Sequence, residues 1–479
     1  MGHLGVNSER EYRLLQQRLD RNVTGAPDSP AFMKILRILF SPEDAALARR
    51  FPGRPMTLEA LSQKLGIPQD ELSDKITDMA RRGLVLDVEH KGQRYAVLAP
   101  VIIGFFEFTF MRVRDELPIA ELARLFEQYG TEDGRFVRSV FQGRTQLGRS
   151  LVREEALPEG DHTEILDWER ASHLVKSATA LAAGLCPCRH EKKHLGKACD
   201  KPLENCLSLN FGAESLVRNG IARPLTTDEA MRILAEAKDA GLAQTGDNVQ
   251  RKVAFICNCC RCCCGMVRAI KEFDIRNAVA TSNWIMEVDP AKCKGCGKCA
   301  KLCPLAAIHV NSLPKVSHPD SLPKVSHLRE GIPGDRLTSE SAPYPPEGVK
   351  PSGGGGVKPS GGGKVAVLDE TLCLGCGVCY SACKFGAIAF KPRARRVLTP
   401  ETMFDRMVAM AIERGKLADL LFDDPERLSH RALGRIVAVL EKSPPFKAAM
   451  AIRPLRSAFL NTIVKGAVQR AGELSEILT

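Results

Sequence analysis

The runs Cys293-x2-Cys296-x2-Cys299-x3-Cys303-Pro304 and Cys373-x2-Cys376-x2-Cys379-x3-Cys383 decide how this chain is read. Each is followed by a short apolar segment, Ala306-Ala307-Ile308-His309-Val310 and Ala387-Ile388-Ala389-Phe390. Thiolates this dense repel one another unless a cation sits among them. A cubane of iron and sulfide presents four iron corners, each wanting one thiolate, and three cysteines on a tight loop can wrap it. Zinc usually takes two separated Cys-x2-Cys pairs rather than an unbroken run, so the spacing points to iron–sulfur clusters. Gly295 and Gly297 flank Cys296, and Gly375 and Gly377 flank Cys376. They permit the positive-φ backbone of such a loop and let N–H groups face the sulfurs.

The two runs form an internal repeat that resembles a two-cluster bacterial ferredoxin domain, a βαβ pair about a pseudo-twofold axis. The resemblance implies two [4Fe–4S] clusters and electron transfer. In such ferredoxins the fourth cysteine of each run ligates the other cluster. That assigns Cys293, Cys296, Cys299 and Cys383 to one cluster, and Cys373, Cys376, Cys379 and Cys303 to the other. Two departures stand out. Lys384 occupies the place of Pro304, and far more chain separates Cys303 from Cys373 than a compact ferredoxin needs.

At 479 residues the chain has room for about three domains. Its 44% hydrophobic and 26% charged residues are those of a globular protein. It has no apolar run long enough for a membrane span and no signal-peptide core, so the expected location is cytoplasmic. In that compartment eighteen cysteines argue for metal, not disulfides. None lies before Cys186 or after Cys383, so the flanks read as scaffold or docking surface. The formal charge of +11 suits an acidic redox partner or nucleic acid, and equally an ordinary basic protein, which is the preferred reading.

The expected class is α+β, multidomain and mainly helical. Residues 1–28 read as a flexible lead-in. A helix starts at Ser29-Pro30, Thr57 caps a second that stops at Gly66, and a third runs from Asp70 to Arg82. Leu84–Leu86 and Tyr95–Leu98 form a hairpin turning at Lys91-Gly92. Together, 29–100 resemble a winged-helix domain. The candidate recognition helix carries Asp70, Glu71, Asp74 and Asp78, which disfavours nucleic acid. Residues 101–185 read as a mostly helical connector that opens on a buried strand, Val101–Phe106. A cysteine-rich domain covers 186–282. The ferredoxin-like domain covers 283–311 and 364–392. Between them, 312–363 duplicates Ser-Leu-Pro-Lys-Val-Ser-His and Gly-Val-Lys-Pro-Ser-Gly-Gly-Gly, and reads as a disordered repeat linker with solvent-facing His318 and His327. The cysteine-free 393–479 reads as helical, broken by prolines.

The cysteine-rich domain holds two further blocks. Cys186, Cys188, Cys199 and Cys206 are candidate ligands for one additional [4Fe–4S] cluster. Cys257, Cys259, Cys260, Cys262, Cys263 and Cys264 crowd into eight residues and would hold a further cluster or share the first. Periodicity leaves their grouping open. An extended backbone separates Cys257, Cys259 and Cys263 from the rest, whereas a helix stripes Cys257, Cys260 and Cys264.

The winged-helix-like start, the Cys-x-Cys-Arg block, the cysteine run and the ferredoxin tail together resemble 4Fe–4S dicluster proteins of anaerobic bacteria and archaea. The resemblance implies an iron–sulfur electron-transfer protein or redox subunit feeding a partner oxidoreductase, rather than a stand-alone enzyme. Two alternatives remain. One is a reductase with a catalytic cluster at the upstream cysteines. The other is a redox-responsive winged-helix regulator.

Overall fold

The computed structural model describes residues 8–158, 167–312, 363–422 and 428–451. The duplicated segment over 313–362, with His318 and His327, lies outside the described residues, as does the chain after residue 451.

The N-terminal part is a helical layer over a small sheet. Ser29 accepts the Phe32 N–H at 3.0 Å and starts the helix Pro30–Leu39. Thr57 caps Leu58–Leu65, and Gly66 ends it at φ 69°. Leu72, Ile76, Met79 and Ala80 give Gln69–Arg81 one buried face. Val85–His90 and Gln93–Leu98 pair antiparallel around Lys91 and Gly92, both at positive φ, as a two-residue hairpin requires. Met56–Thr57 adds a third strand.

Two sequence expectations change here. The supposed lead-in contains the helix Ser8–Asp20, whose Tyr12, Leu15 and Leu19 are buried against the following helices. Val101–Phe106 is no strand. Ile102 and Ile103 are extended but join no sheet among the described residues, and the chain turns into the helix Phe106–Phe110. Aromatic packing wins over strand propensity, because Phe105 contacts Phe32, Phe40 and Phe126.

The centre is a six-stranded antiparallel sheet in the order Gly148–Ser150, Ala243–Asp247, Phe255–Cys259, Glu204–Leu209, Leu181–Leu185, Arg223–Pro224. It draws Gly148–Ser150 and Leu181–Leu185 from the stretch read as a helical connector, so the sheet straddles residue 186. The hairpin docks on the helix Asn210–Arg218, which packs on this sheet, through Asp87, which is 1% exposed. Asp87 accepts from Asn219 at 2.6 Å and pairs with Arg94 at 3.1 Å.

The ferredoxin-type repeat builds two crossed ribbons. Trp284–Val288 pairs with Ile388–Pro392, and Ile308–Ser312 with Lys364–Leu368, both antiparallel. The first strand of each half therefore pairs with the last strand of the other half, which brings the two cysteine loops to one core. A buried ion pair fixes this unit to the central sheet. Arg149 donates to Glu169 at 2.6 Å with both side chains fully buried, and Glu169 also accepts from the Asn283 side chain at 2.9 Å. The helix Met403–Arg414 closes the underside, with Arg406 salt-bridged to buried Asp247. Among the described residues no helix is long and apolar enough to cross a membrane.

Candidate metal centres

The ferredoxin-type loops converge as the crossed strands dictate. Cys299, Cys303 and Cys379, with Cys293 and Cys383 packed against them, share one core with Trp284, Met286 and Phe390. One cavity is lined by Cys303, Cys373, Cys376 and Cys379, four thiols contributed by both halves. The loops are cut for close approach. At Gly375, φ is 71°, and a Cβ would sit 2.2 Å from Ser282 Oγ and the Trp284 carbonyl. At Gly295 it would meet the Lys364 carbonyl at 2.3 Å. Backbone N–H groups face the sulfurs, with Ala307 donating to Cys303 at 3.3 Å and Ala366 to Cys293 at 3.4 Å. Burial pushes Cys376 up to about 12 and also raises Cys379, Cys303 and Cys299. Thiols held this way deprotonate when a metal offsets the charge. The residues present therefore fit a cubane at each loop.

The loops differ in exposure. Cys373 to Cys379 are buried throughout. In the other loop Cys296 is exposed, and so are Lys292, Lys294, Lys298 and Lys301 around it. One centre is an inner one and the other lies at the surface within a basic collar.

The upstream cysteines divide differently from the sequence expectation. Cys199 does not stay with Cys186, Cys188 and Cys206 as a quartet. Its sulfur gathers with those of Cys260, Cys262 and Cys263, all within 4.8 Å of one another. The cause is local. Phe255–Cys259 is the third strand of the central sheet, the chain turns over residues 260–264, and Cys264 then caps the helix Gly265–Phe273. Neither a continuous strand nor a continuous helix describes the run. The Cys260-x2-Cys263 pair was the available signal for this grouping.

The remaining six thiols form a ring on the wall of a cavity of about 740 Å³. Cys259 Sγ lies 3.2 Å from Cys264 Sγ, and Cys186, Cys188, Cys206 and Cys257 neighbour them around the same cavity. Two helices begin at this ring, Pro187–His194 behind Cys186 and Gly265–Phe273 behind Cys264. Cys186 and Cys264 occupy the N-cap positions of these two helices. Positive helix ends directed at thiols favour thiolate. Burial opposes it and pushes Cys186 up to about 12. Glu107 lines the same cavity and accepts from Gly104 N–H at 2.8 Å. Enclosure by protein lifts its carboxyl to about 8. Nothing local in the sequence marks Glu107, whereas Arg189, near-fully buried, stands in the Cys-x-Cys-Arg block.

The ring and the inner loop are continuous. Cys259, Cys264 and Cys376 belong to one packed core with Leu374 and Val378.

Residues 286–309 and 366–389 each match the family described as 4Fe-4S binding domain. No curated protein and no solved structure matches the chain. Both cysteine loops are thus 4Fe–4S binding motifs, and the chain carries two [4Fe–4S] clusters.

Proposed function

We propose that this chain is an electron-transfer subunit that takes up or delivers electrons at its exposed loop and relays them inward to the buried one. Cys293, Cys296, Cys299 and Cys383 hold the outer cluster in this reading, and Cys303, Cys373, Cys376 and Cys379 the inner. The clusters supply one-electron redox chemistry, and the protein supplies ligation, hydrogen bonds and burial. The observation that carries the reading is the contrast between the two loops, one exposed among lysines and one sealed against the cysteine-rich sheet. An acidic redox protein fits that basic collar. The N-terminal helices and hairpin, winged-helix-like in element order, serve as scaffold. Arg94, the one basic side chain of the strand Gln93–Leu98, is turned onto Ser73, Thr77 and Asp87. That engagement speaks against the DNA-binding regulator. The test is a potentiometric titration of anaerobically reconstituted protein followed by EPR. Two reversible one-electron couples are expected, and centres that fall apart on a single reduction would refute the reading.

A second reading, a reductase, draws on the thiol ring facing a large cavity beside a protonated Glu107. Its test is reoxidation of dithionite-reduced protein by small oxidants such as sulfite, nitrite and quinones. A rate lost in Cys188→Ser and Cys257→Ser, with both ferredoxin-type signals intact, supports it. Equal rates in the variants and the parent remove it.

A further inference from the structure

We propose that Cys199, Cys260, Cys262 and Cys263 hold a single thiophilic divalent ion, zinc or ferrous iron, in a sulfide-free tetrahedral site rather than a third cubane. Sulfur spacing separates the two. Cys262 and Cys263 sulfurs are 3.7 Å apart, and those of Cys199 and Cys263 are 3.9 Å apart. Four thiolates bound at about 2.3 Å to one ion, at tetrahedral angles, stand about 3.8 Å from one another. A cubane places each thiolate on a different iron, so its thiolates stand wider. The chain supplies its own comparison. Among the described residues, no three sulfurs of the ferredoxin-type loops come within 4.8 Å of one another, whereas these four do.

The backbone around the four sulfurs suits such an ion. Cys260 and Cys263 have the pair spacing of tetrahedral thiolate sites. Cys263 N–H donates to Cys260 Sγ at 3.3 Å. This bond spreads the charge of the thiolate and fixes its direction. The Arg189 guanidinium, 1% exposed, is held beside Cys260 and Cys199 by its bonds to the Pro202 and Asn258 carbonyls. It offsets part of the net negative charge that four thiolates leave on a divalent ion. Leu242 and Ala237 pack beside Cys260 and Cys263, and Cys262 is exposed, which gives an ion a way in.

Cys199 and Cys263 lie 64 positions apart in the chain. The ion would staple these distant segments together. On the same turn Arg261 donates to the Lys301 carbonyl at 3.0 Å, within the helix Lys298–Leu302 that carries Cys299. The staple therefore fixes the cysteine-rich turn against the outer ferredoxin-type loop. It stands apart from the electron-transfer reading, since it needs no redox change.

The test uses the full chain, reconstituted anaerobically with iron, sulfide and zinc, as parent, Cys262→Ser and Cys199→Ser. Iron, zinc and acid-labile sulfide are counted, and EPR of the reduced protein monitors the two cubanes. Each variant is expected to lose about one metal per chain, with sulfide and EPR unchanged. Whichever of zinc or iron falls names the ion. X-ray absorption at that edge should show about four sulfurs at about 2.3 Å and no neighbouring metal. Cys262 is exposed, so its serine variant tests ligation without a packing defect. Loss of about four irons together with four sulfides would mean a third cubane and overturn the proposal. Unchanged metal content, or metal-free parent protein with these cysteines oxidised, would overturn it as well.

Discussion

Arg153 donates its backbone N–H to the Cys376 carbonyl at 3.2 Å, and its guanidinium bonds Ser381 Oγ at 2.6 Å, five residues along the same loop. Its other guanidinium bonds go to the Lys238 and Leu242 carbonyls. Burial lowers the Arg153 pKa, and the neighbouring Cys376 and Cys379 work against that. A cation held this close favours the reduced, more negative state of the inner cluster. Arg153→Gln should lower the inner potential by tens of millivolts and leave the outer one in place. Potentiometric EPR reads both. Equal shifts at the two centres would mean that Arg153 acts through the fold and not through its charge.

Gly375→Ala places a Cβ against Ser282 Oγ and the Trp284 carbonyl at positive φ. The loop cannot give way, since the Ser282 hydroxyl bonds the Gly375 carbonyl at 2.8 Å. The variant should bind about four fewer irons while the outer cluster stays. Iron and sulfide counts equal to the parent's would contradict this account of the loop.

Glu107 gives a pH signature. Its folded-state pKa is raised, from an ordinary 4.5 to about 8, so the folded chain holds a proton that the unfolded chain releases. Stability from this group is present at low pH and lost as pH rises through that window. The parent should lose more thermal stability between pH 5 and pH 8 than Glu107→Gln does. Parallel pH profiles would show that Glu107 ionises freely in its cavity.

The lysine collar makes association salt-dependent. Lys294→Glu with Lys298→Glu should slow reduction by an acidic ferredoxin or flavodoxin at low salt by about tenfold or more. The difference should shrink as ionic strength rises. Rates that match the parent at every salt concentration would place the entry point elsewhere.

Much of this was legible in residue order. Short-range chemistry carried the helix starts at Ser29 and Thr57, the stop at Gly66, the turn at Lys91-Gly92 and all eight ferredoxin-type cysteines. What escaped depended on distant segments. Cys199 joins the run at 260–263 because strand Phe255–Cys259 lies beside Glu204–Leu209 in the sheet, and register is invisible along the chain. The same cause explains why the sheet crosses residue 186. The helix Ser8–Asp20 hides in the sequence because its polar face dominates its composition, while Tyr12, Leu15 and Leu19 supply the buried stripe.

The most direct measurement is iron and acid-labile sulfide per chain after anaerobic reconstitution, in the parent and in Cys373→Ser with Cys376→Ser. The account predicts about eight irons or more in the parent, with matching sulfide, and about four fewer of each in the variant. Fewer than about four irons in the parent, or zinc without sulfide at these loops, would contradict it.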